Sequence, residues 1–393
     1  MGRIFRTIVL REKHCVSKQR KLSEYRGFTR KMPENLKKLN RSLSEISTWL
    51  KFDKIPWVIA GPCSAESEQQ VISTARELAK SPHVKAFRAG IWKPRTRPNS
   101  FEGVGKVGLE WLRAVKDETS LLTTTEVANA QHIELCLDND VDILWIGART
   151  TVNPFLVQEI ADALRGVDVP VLVKNPVNAE LGLWLGAIER LHYAGIRKLA
   201  AIHRGFSTYF DMGYRNRPNW QIPIELKRLL PNLPLICDPS HITGNRDLIE
   251  PVSQTALDLG IDGLMIEAHV NPDRALSDSK QQITPKVLIE LLERLRARNT
   301  AITDKHLKGK IAHLRAEISQ VDSQIIQNLA ERMRWVEEIG KLKQQHNIPV
   351  LQINRWEQLL HDHMDRARQL GLEDEFIKAV FELIHAQAVK RQL

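Results

Sequence analysis

Short apolar runs alternate with longer amphipathic stretches from residue 57 to about residue 300. The apolar runs have the length of strands and lie at 57–60, 85–89, 120–124, 143–146, 171–174, 198–203, 233–237 and 263–267. The stretches that follow them show helical spacing at 67–80, 104–117, 128–138, 154–164, 179–193, 224–229, 247–259 and 284–297. These β–α units predict a closed (β/α)8 TIM barrel, which typically needs about 250 residues. A doubly wound sheet is the alternative, but no Gly-rich dinucleotide turn supports it.

The pattern changes after residue 300. Residues 304–345 carry apolar side chains at steps of three and four, which predicts one amphipathic helix of about 40 residues and roughly 60 Å. Two shorter helices are predicted at 351–369 and 374–391, separated by breaks at Pro349 and Gly371. Because so small a domain cannot cover so long an apolar stripe, we expect a homodimer through the long helix. A tetramer stays open.

The net charge of +10 is confined to the start of the chain. Residues 1–54 hold 15 Lys and Arg against 5 Asp and Glu, so the remainder is balanced. This predicts a basic leader at 1–54, disordered in part, before an α/β barrel at 55–300 and an all-α domain at 301–393. The leader lacks the apolar core of a secretory signal, although a targeting peptide or translation from Met32 stays open.

The same composition narrows the location and the partners. No apolar run approaches the roughly 18 residues that cross a bilayer, so no membrane span is predicted. Four cysteines without paired spacing indicate the reducing cytoplasm. A basic arm can bind nucleic acid, but no motif or interleaved aromatic residue indicates that here.

Charged side chains follow the predicted strands, at the end of a barrel that carries catalysis. One set offers a thiol, an imidazole and two carboxylates, which suits a divalent Mn, Fe, Co or Zn ion: Cys63, His241, Glu267 and Asp278. A second set is cationic and predicts substrates with more than one anionic group: Arg88, Lys93, Arg95, Arg149, Lys174 and Arg204.

Four motifs resemble the type I beta 3-deoxy-D-arabino-heptulosonate 7-phosphate (DAHP) synthases. They are Ile-Ala-Gly-Pro-Cys-Ser at 59–64, Lys-Pro-Arg-Thr at 93–96, Gly-Ala-Arg at 147–149 and Asp-Pro-Ser-His at 238–241. The resemblance implies a transferase that condenses phosphoenolpyruvate with erythrose 4-phosphate, releasing phosphate, at the start of the shikimate pathway. A sister synthase makes keto-deoxy-octulosonate phosphate on the same barrel, and the Lys-Pro-Arg-Thr motif argues against it.

The resemblance also assigns residues. It implies that Cys63, His241, Glu267 and Asp278 bind the metal, and that Arg95 and Thr96 hold the sugar phosphate. It assigns phosphoenolpyruvate to Arg88, Lys93, Arg149, Lys174 and Arg204. Lys93 would lie between the two anion subsites, where it could assist proton transfer as a catalytic residue.

Residues 304–392 resemble the all-helical AroQ-type chorismate mutases. Leu-Arg at 314–315, Leu-Ala-Glu-Arg at 329–332, Gly-Lys-Leu-Lys at 340–343 and Arg355 carry the likeness. It implies an isomerase that rearranges chorismate to prephenate in an intertwined dimer. Arg332 and the neighbour's Arg315 would bind the carboxylates, while Lys343 and Gln392 would donate to the ether oxygen. The implied catalytic residues are Arg315, Arg332, Lys343, Arg355 and Gln392.

Three positions depart from the mutase pattern. Gln352 stands where Asp is usual, Trp356 where Glu usually meets the substrate hydroxyl, and Ala388 where Ser is common. Taken together, the sequence predicts a bifunctional enzyme of aromatic amino-acid biosynthesis with allosteric feedback through the helical domain. The alternative is a DAHP synthase whose helical domain is catalytically weak and binds an effector.

Overall fold

The computed structural model describes residues 32–52, 56–93, 101–208, 213–298 and 302–393. They form two compact units, one ending at Arg298 and the other comprising the C-terminal residues that follow. The division lies close to the predicted boundary at residue 300. No helix in the described part of the chain is both long and apolar enough to cross a membrane.

The first unit is a closed barrel of parallel strands in sequential order, as predicted. Its strands are β1 Trp57–Gly61, β2 Val84–Arg88, β3 Leu122–Val127, β4 Ile143–Ile146, β5 Val171–Lys174, β6 Leu199–His203, β7 Leu235–Cys237 and β8 Gly263–Glu267. Five-residue pairing of β1 with β8, from Trp57 opposite Gly263 to Gly61 opposite Glu267, closes the ring. Because the strands are all parallel, their carboxyl ends lie on one rim of the barrel. Residues at these ends are therefore close together.

Helices cover the outside of the barrel. The α-helices of this unit are α1 Glu34–Ser42, α2 Glu68–Leu78, α3 Val107–Thr119, α4 Ala130–Asp138, α5 Ala148–Thr151, α6 Pro154–Ala163, α7 Leu181–Tyr193, α8 Gln221–Leu229, α9 Pro239–Thr243, α10 Ile249–Asp258 and α11 Pro285–Arg294. Local sequence explains several starts. Ser67, Asn129, Asn153 and Thr284 each accept a backbone N–H at a helix N-terminus.

Two apolar layers hold the barrel together. Alternate strand residues such as Val58 and Ala60 face outward and pack with the helices. The intervening residues, including Trp57, Ile59 and Trp145, fill the interior. Burial of both faces explains why the strands appear in the sequence as continuous apolar runs.

Part of the segment predicted as a leader belongs to the barrel unit. In α1, Leu36 and Leu39 are buried within the outer core. Leu50 is buried in the interior core next to residues such as Trp57. Residues 34–52 therefore stabilise the barrel, while residues 1–31 lie outside the described residues.

The second unit consists of α12 Lys305–Gln345, α13 Ile353–Gln369 and α14 Asp374–Gln392. These bounds match the three predicted helices closely. The long helix α12 has 41 residues and buries only Val336 and Gly340. Gly340 allows close packing, because a Cβ there would lie 3.0 Å from the Cα of Gln392 on α14.

Candidate active sites

A thiol and two carboxylates lie close together at one rim of the barrel. They come from the carboxyl ends of β1 and β8 and from the loop after β8. Ligand atoms of Cys63, Glu267 and Asp278 all lie within 4.8 Å of one another. The Cys63 thiol donates to Asp278 Oδ2 over 3.3 Å. Asp278 holds this place with a left-handed backbone, at φ 47°. Such a backbone is found at functional sites but is not specific to them, since Ser120 adopts φ 59° at the C-terminus of α3.

His241 stands beside the cluster at the end of β7. Asp238 caps α9 by accepting the His241 backbone N–H, which turns the imidazole toward the barrel mouth. The ring's Nε2 lies 3.8 Å from Glu267 Oε1, and its Nδ1 lies 2.8 Å from Asp238 Oδ2. A carboxylate on one ring nitrogen, with the other aimed at acidic groups, is how proteins orient a metal-binding histidine.

The ionisation states of the cluster follow from burial and neighbouring charges. Burial, assisted by Glu267, raises the pKa of the Cys63 thiol to about 12. Burial would also raise the pKa of Glu267, but His241 and Arg88 outweigh it and lower that pKa. The pKa of Asp278 is likewise lowered, mainly by Arg215 and His241, against the effect of burial. The donor set thus comprises the buried carboxylate of Glu267, the half-buried carboxylate of Asp278, an imidazole and a thiol.

These residues fit a divalent transition metal. Soft thiol and imidazole donors are mixed with hard carboxylates, and the groups converge from three separate strand ends onto one space. Surrounding groups hold them in place: Arg88 and Gln281 donate to the two oxygens of Glu267 over 3.0 Å and 2.6 Å. Supporting hydrogen bonds of this kind tune metal ligands.

A cavity of about 260 Å³ opens beside this cluster. Its lining includes the side chains Glu126, Arg149, Lys174, Arg204, Arg215 and His241. Lys174 and Arg204 are buried, which is rare for charged groups without partners. Lys174 donates to Asp238 over 3.0 Å, and Arg204 donates to Asn216 over 2.7 Å.

Burial makes these cations costly without an anion. It lowers the pKa of Arg204 to about 10 and also lowers the pKa of Lys174, although Asp238 partly opposes the effect on Lys174. A bound phosphate or carboxylate would offset this desolvation, since charge-assisted hydrogen bonds are strong in a low-dielectric site. The cavity is therefore suited to a small polyanion.

The structure places the predicted barrel residues as follows. Cys63, Glu267 and Asp278 form the cluster, His241 touches both cluster and cavity, and Lys93 Nζ reaches Cys63 Sγ at 3.2 Å. Arg149, Lys174 and Arg204 line the cavity, while Arg88 lies deeper, paired with Glu267. Arg95 and Thr96 lie outside the described residues.

Sequence reasoning missed Arg215 and Asp238 as site residues. Arg215 pairs with Asp278 at 3.0 Å and lines the cavity, but it lies in the long segment between β6 and α8, away from any strand end. Asp238 belongs to the Asp-Pro-Ser-His motif at the end of a predicted strand, but the sequence assigns it no function. Its contacts with both Lys174 and His241 link the cavity to the metal-ligand cluster.

The helical unit carries a second set of predicted residues. Arg332 is half-buried on α12, and its Nη1, like Gln392 Oε1, is buried without a hydrogen-bond partner in the described structure. Lys343 donates to the Val350 carbonyl over 2.7 Å. Arg315 and Arg355 are exposed. Arg315 precedes Arg332 by about 25 Å along the helix, so the two cannot meet on one small ligand within one chain.

Two of the positions that depart from the mutase pattern, Trp356 and Ala388, make contacts within the helical unit. The indole of Trp356 stacks on His385, with centroids 4.0 Å apart. Burial and the nearby Arg332 lower the pKa of His385. Ala388 is buried, and its carbonyl accepts from Gln392 over 3.4 Å. An aromatic pair therefore occupies the position where the resemblance implies a carboxylate.

A closed parallel barrel, with a cluster of groups suited to a metal ion and a cationic cavity on one rim, defines a TIM-barrel enzyme suited to small anionic substrates. Comparison with known proteins makes this specific. Residues 51–304 match the DAHP synthetase I family, and residues 314–393 match chorismate mutase type II. The chain belongs to the DAHP synthetase I family and carries a C-terminal chorismate mutase domain, so it is an enzyme of aromatic biosynthesis with both activities.

Individual relatives agree with the family. A phospho-2-dehydro-3-deoxyheptonate aldolase of Thermotoga maritima is 34% identical over 240 residues, covering 61% of this chain and 68% of the relative. A 2-dehydro-3-deoxyphosphooctonate aldolase of Desulfotalea psychrophila is 30% identical, covering 61% and 88%. A crystal structure of the Thermotoga maritima DAHP synthase superimposes with a TM-score of 0.55 at 33% identity, covering 61% of this chain and 67% of that one.

Proposed function

We propose that the barrel catalyses the metal-dependent condensation of phosphoenolpyruvate with erythrose 4-phosphate to DAHP and phosphate. The observation that carries this proposal is the direct adjacency of the metal-ligand cluster to the cationic cavity, joined by His241. Such a site would hold an anionic substrate beside a Lewis acid. Relatives include both heptonate and octonate aldolases. The Lys-Pro-Arg-Thr motif at 93–96 favours the shorter sugar.

In this proposal, different side chains bind the anionic substrate and the metal ion. Lys174, Arg204 and Arg149 bind the phosphate and carboxylate of phosphoenolpyruvate and offset the repulsion between the two substrates. A divalent ion held by Cys63, His241, Glu267 and Asp278 would supply Lewis-acid polarisation of the aldehyde. Holding the reactants together removes much of the entropic barrier.

The bond changes balance with water as the third reactant. The methylene carbon of phosphoenolpyruvate bonds to the aldehyde carbon, whose oxygen gains a proton. Water adds to the former enol carbon and loses a proton, and the C–O bond from that carbon to phosphate then breaks, which leaves a ketone and releases phosphate. In this proposal Lys93 assists the proton transfer to the new hydroxyl, and its position 3.2 Å from Cys63 Sγ supports that role.

The substrate assignment is tested by product identity. The enzyme is incubated with phosphoenolpyruvate and either erythrose 4-phosphate or arabinose 5-phosphate, and the products are identified by mass spectrometry. We expect turnover to DAHP with erythrose 4-phosphate and little octulosonate product. Preferential use of arabinose 5-phosphate would assign the barrel to the sister reaction.

The helical unit would act as a dimer in the rearrangement of chorismate to prephenate. Apolar residues of α12 are widely exposed in the single chain, for example Leu314 at 60% and Ile318 at 59%. A continuous exposed stripe of this kind marks an interface. A two-fold partner would cover it and bring its own Arg315 toward Arg332, whose Nη1 is buried without a hydrogen-bond partner in the described structure.

We further propose that prephenate or chorismate bound to the helical unit regulates the barrel. The stack of Trp356 on His385 favours a second candidate function, an effector-binding module with weak mutase activity. Titration of prephenate into a synthase assay tests feedback, with R332A as the control that removes the ligand site. An unchanged synthase rate at saturating prephenate would exclude regulation by this ligand.

A further inference from the structure

Trp145 lies inside the barrel, beneath the cationic cavity. It belongs to β4, is fully buried and packs with Ile143 and Leu172 in the interior core. Its ring also contacts charged groups. Its indole N–H donates to Glu126 Oε2 over 2.9 Å, and Glu126 lines the cavity above.

Two buried cations lie within cation–π range of the indole. The Arg88 guanidinium carbon is 5.0 Å from the ring centroid, and Lys174 Nζ is 5.7 Å from it. Cations within about 6 Å of an indole are attracted by the ring, most strongly when water is excluded. Each cation also has one carboxylate partner at 3.0 Å, Glu267 for Arg88 and Asp238 for Lys174.

Those two cations repel each other. The charge of Arg88 contributes to the lowered pKa of Lys174, next to the larger effect of burial. Arg88 Nε and Nη1 are buried without hydrogen-bond partners in the described structure, although Glu267 and Asp238 outweigh the effect of burial and raise the pKa of Arg88. An electron-rich ring in contact with both cations reduces this repulsion before any substrate arrives.

We infer that Trp145 is a positioning residue for phosphoenolpyruvate, whose indole ring holds Arg88 and Lys174 in place through cation–π contacts. The inference rests on the proposed function for the identity of the bound anion. It adds a residue that contributes through a cation–π contact, without touching the substrate. The hydrogen bond to Glu126 fixes the ring, and Gly147 leaves room for Glu126, because a Cβ there would collide with Glu126 Oε1.

The prediction concerns substrate binding more than the chemical step. Because the inferred role is to bind phosphoenolpyruvate equally in the ground state and the transition state, loss of the π face should raise KM for phosphoenolpyruvate and change kcat less. A desolvated cation–π contact implies a KM increase of about tenfold. KM for erythrose 4-phosphate should stay within about twofold, since its proposed groups lie elsewhere.

The test compares rings of one shape and different charge distribution. Trp145→Phe keeps an aromatic ring with a negative face. Trp145→pentafluorophenylalanine has a ring of the same shape as phenylalanine, but fluorination removes the negative charge from its face. We expect KM for phosphoenolpyruvate to be about fivefold or more higher in the fluorinated variant than in W145F. Equal KM values in the two variants would overturn the inference.

Trp145→Met and Trp57→Met complete the experiment. Trp57 is equally buried in the interior core, on β1, where its described ring partner is Phe52 and no cation faces it in the described structure. W145M should raise KM for phosphoenolpyruvate, whereas W57M should lower thermal stability only. An equal KM increase in W57M would assign the effect to packing. A wild-type enzyme that makes no DAHP would refute the proposed function itself, independently of these comparisons.

Discussion

Lys93 Nζ lies 3.2 Å from the Sγ of Cys63, so an ammonium and a thiol meet where the metal-ligand cluster begins. The two residues follow different strands, and Lys93 is held in place by a backbone hydrogen bond to Glu102. The charge of Lys93 favours the thiolate form of Cys63, against the stronger effect of burial. This contact joins the group proposed to move protons to a group proposed to hold the metal.

Replacing Lys93 should affect the chemical step. K93Q removes the proton donor and retains a polar side chain, so we expect kcat for DAHP formation to fall about 100-fold or more. Metal content, measured by elemental analysis, should remain near that of the wild type. K286Q is the control, because Lys286 is 85% exposed on the barrel surface. A K93Q enzyme with wild-type kcat would remove Lys93 from the mechanism.

Replacing Cys63 should affect metal retention. C63S exchanges a soft donor for a weak hard one, and we expect the purified enzyme to hold about tenfold less transition metal after dialysis. C136S is the matched control, because Cys136 is also buried but lies on α4 outside the cluster. If C63S and C136S retain the same metal and the same synthase activity, Cys63 is not a ligand.

His203 makes barrel stability depend on pH. Burial and the neighbouring Arg204 lower the pKa of His203 to about 3, from an ordinary value near 6.5. The unfolded chain therefore binds a proton that the folded barrel does not, and stability is lost as pH falls from about 6.5 toward 3. At about pH 5 the loss in the free energy of unfolding should approach 2 kcal/mol.

Urea unfolding followed by tryptophan fluorescence between pH 7.5 and pH 5 measures this loss. H203N should flatten the dependence, whereas H361Q should not, since His361 is 75% exposed. The same slope in wild type and H203N would show that other groups control acid stability.

The helical unit offers a reciprocal pair of variants. R332A removes a cation whose Nη1 is buried without a hydrogen-bond partner in the described structure, and we expect kcat/KM for chorismate to fall about 100-fold. W356E replaces the indole stacked on His385 with the carboxylate implied by the resemblance, and should raise kcat/KM. R334A, an exposed neighbour on the same helix, is the control. An efficient wild-type mutase that W356E impairs would contradict the reading of Trp356 as a weakening change.

Local pattern predicted the barrel well, because buried strands and amphipathic helices leave different periods. The bounds of β4, β5 and β8 agree with the apolar runs. At β3 the strand begins two residues later than predicted, because Ser120 adopts φ 59° as the C-terminal cap of α3. Helix α1 was hidden by the basic composition around it, although Leu36 and Leu39 already had helical spacing.

Residues at strand ends could be anticipated as a group, since a barrel brings all such ends to one rim. The site roles of Trp145, Asp238 and Arg215 could not. An apolar run gives no sign that Trp145 has Arg88 and Lys174 against its ring. Arg215 lies in a loop whose path to Asp278 depends on tertiary structure. Interactions between distant segments are invisible to local periodicity.

The most direct measurement is phosphate release from phosphoenolpyruvate and erythrose 4-phosphate by the full-length enzyme, before and after chelation. We predict that release requires both substrates, stops when the metal is removed and returns when Mn²⁺ or Zn²⁺ is added back. It should not return in C63S at the same metal concentration. Undiminished release from the chelated enzyme would contradict a catalytic metal at Cys63, His241, Glu267 and Asp278.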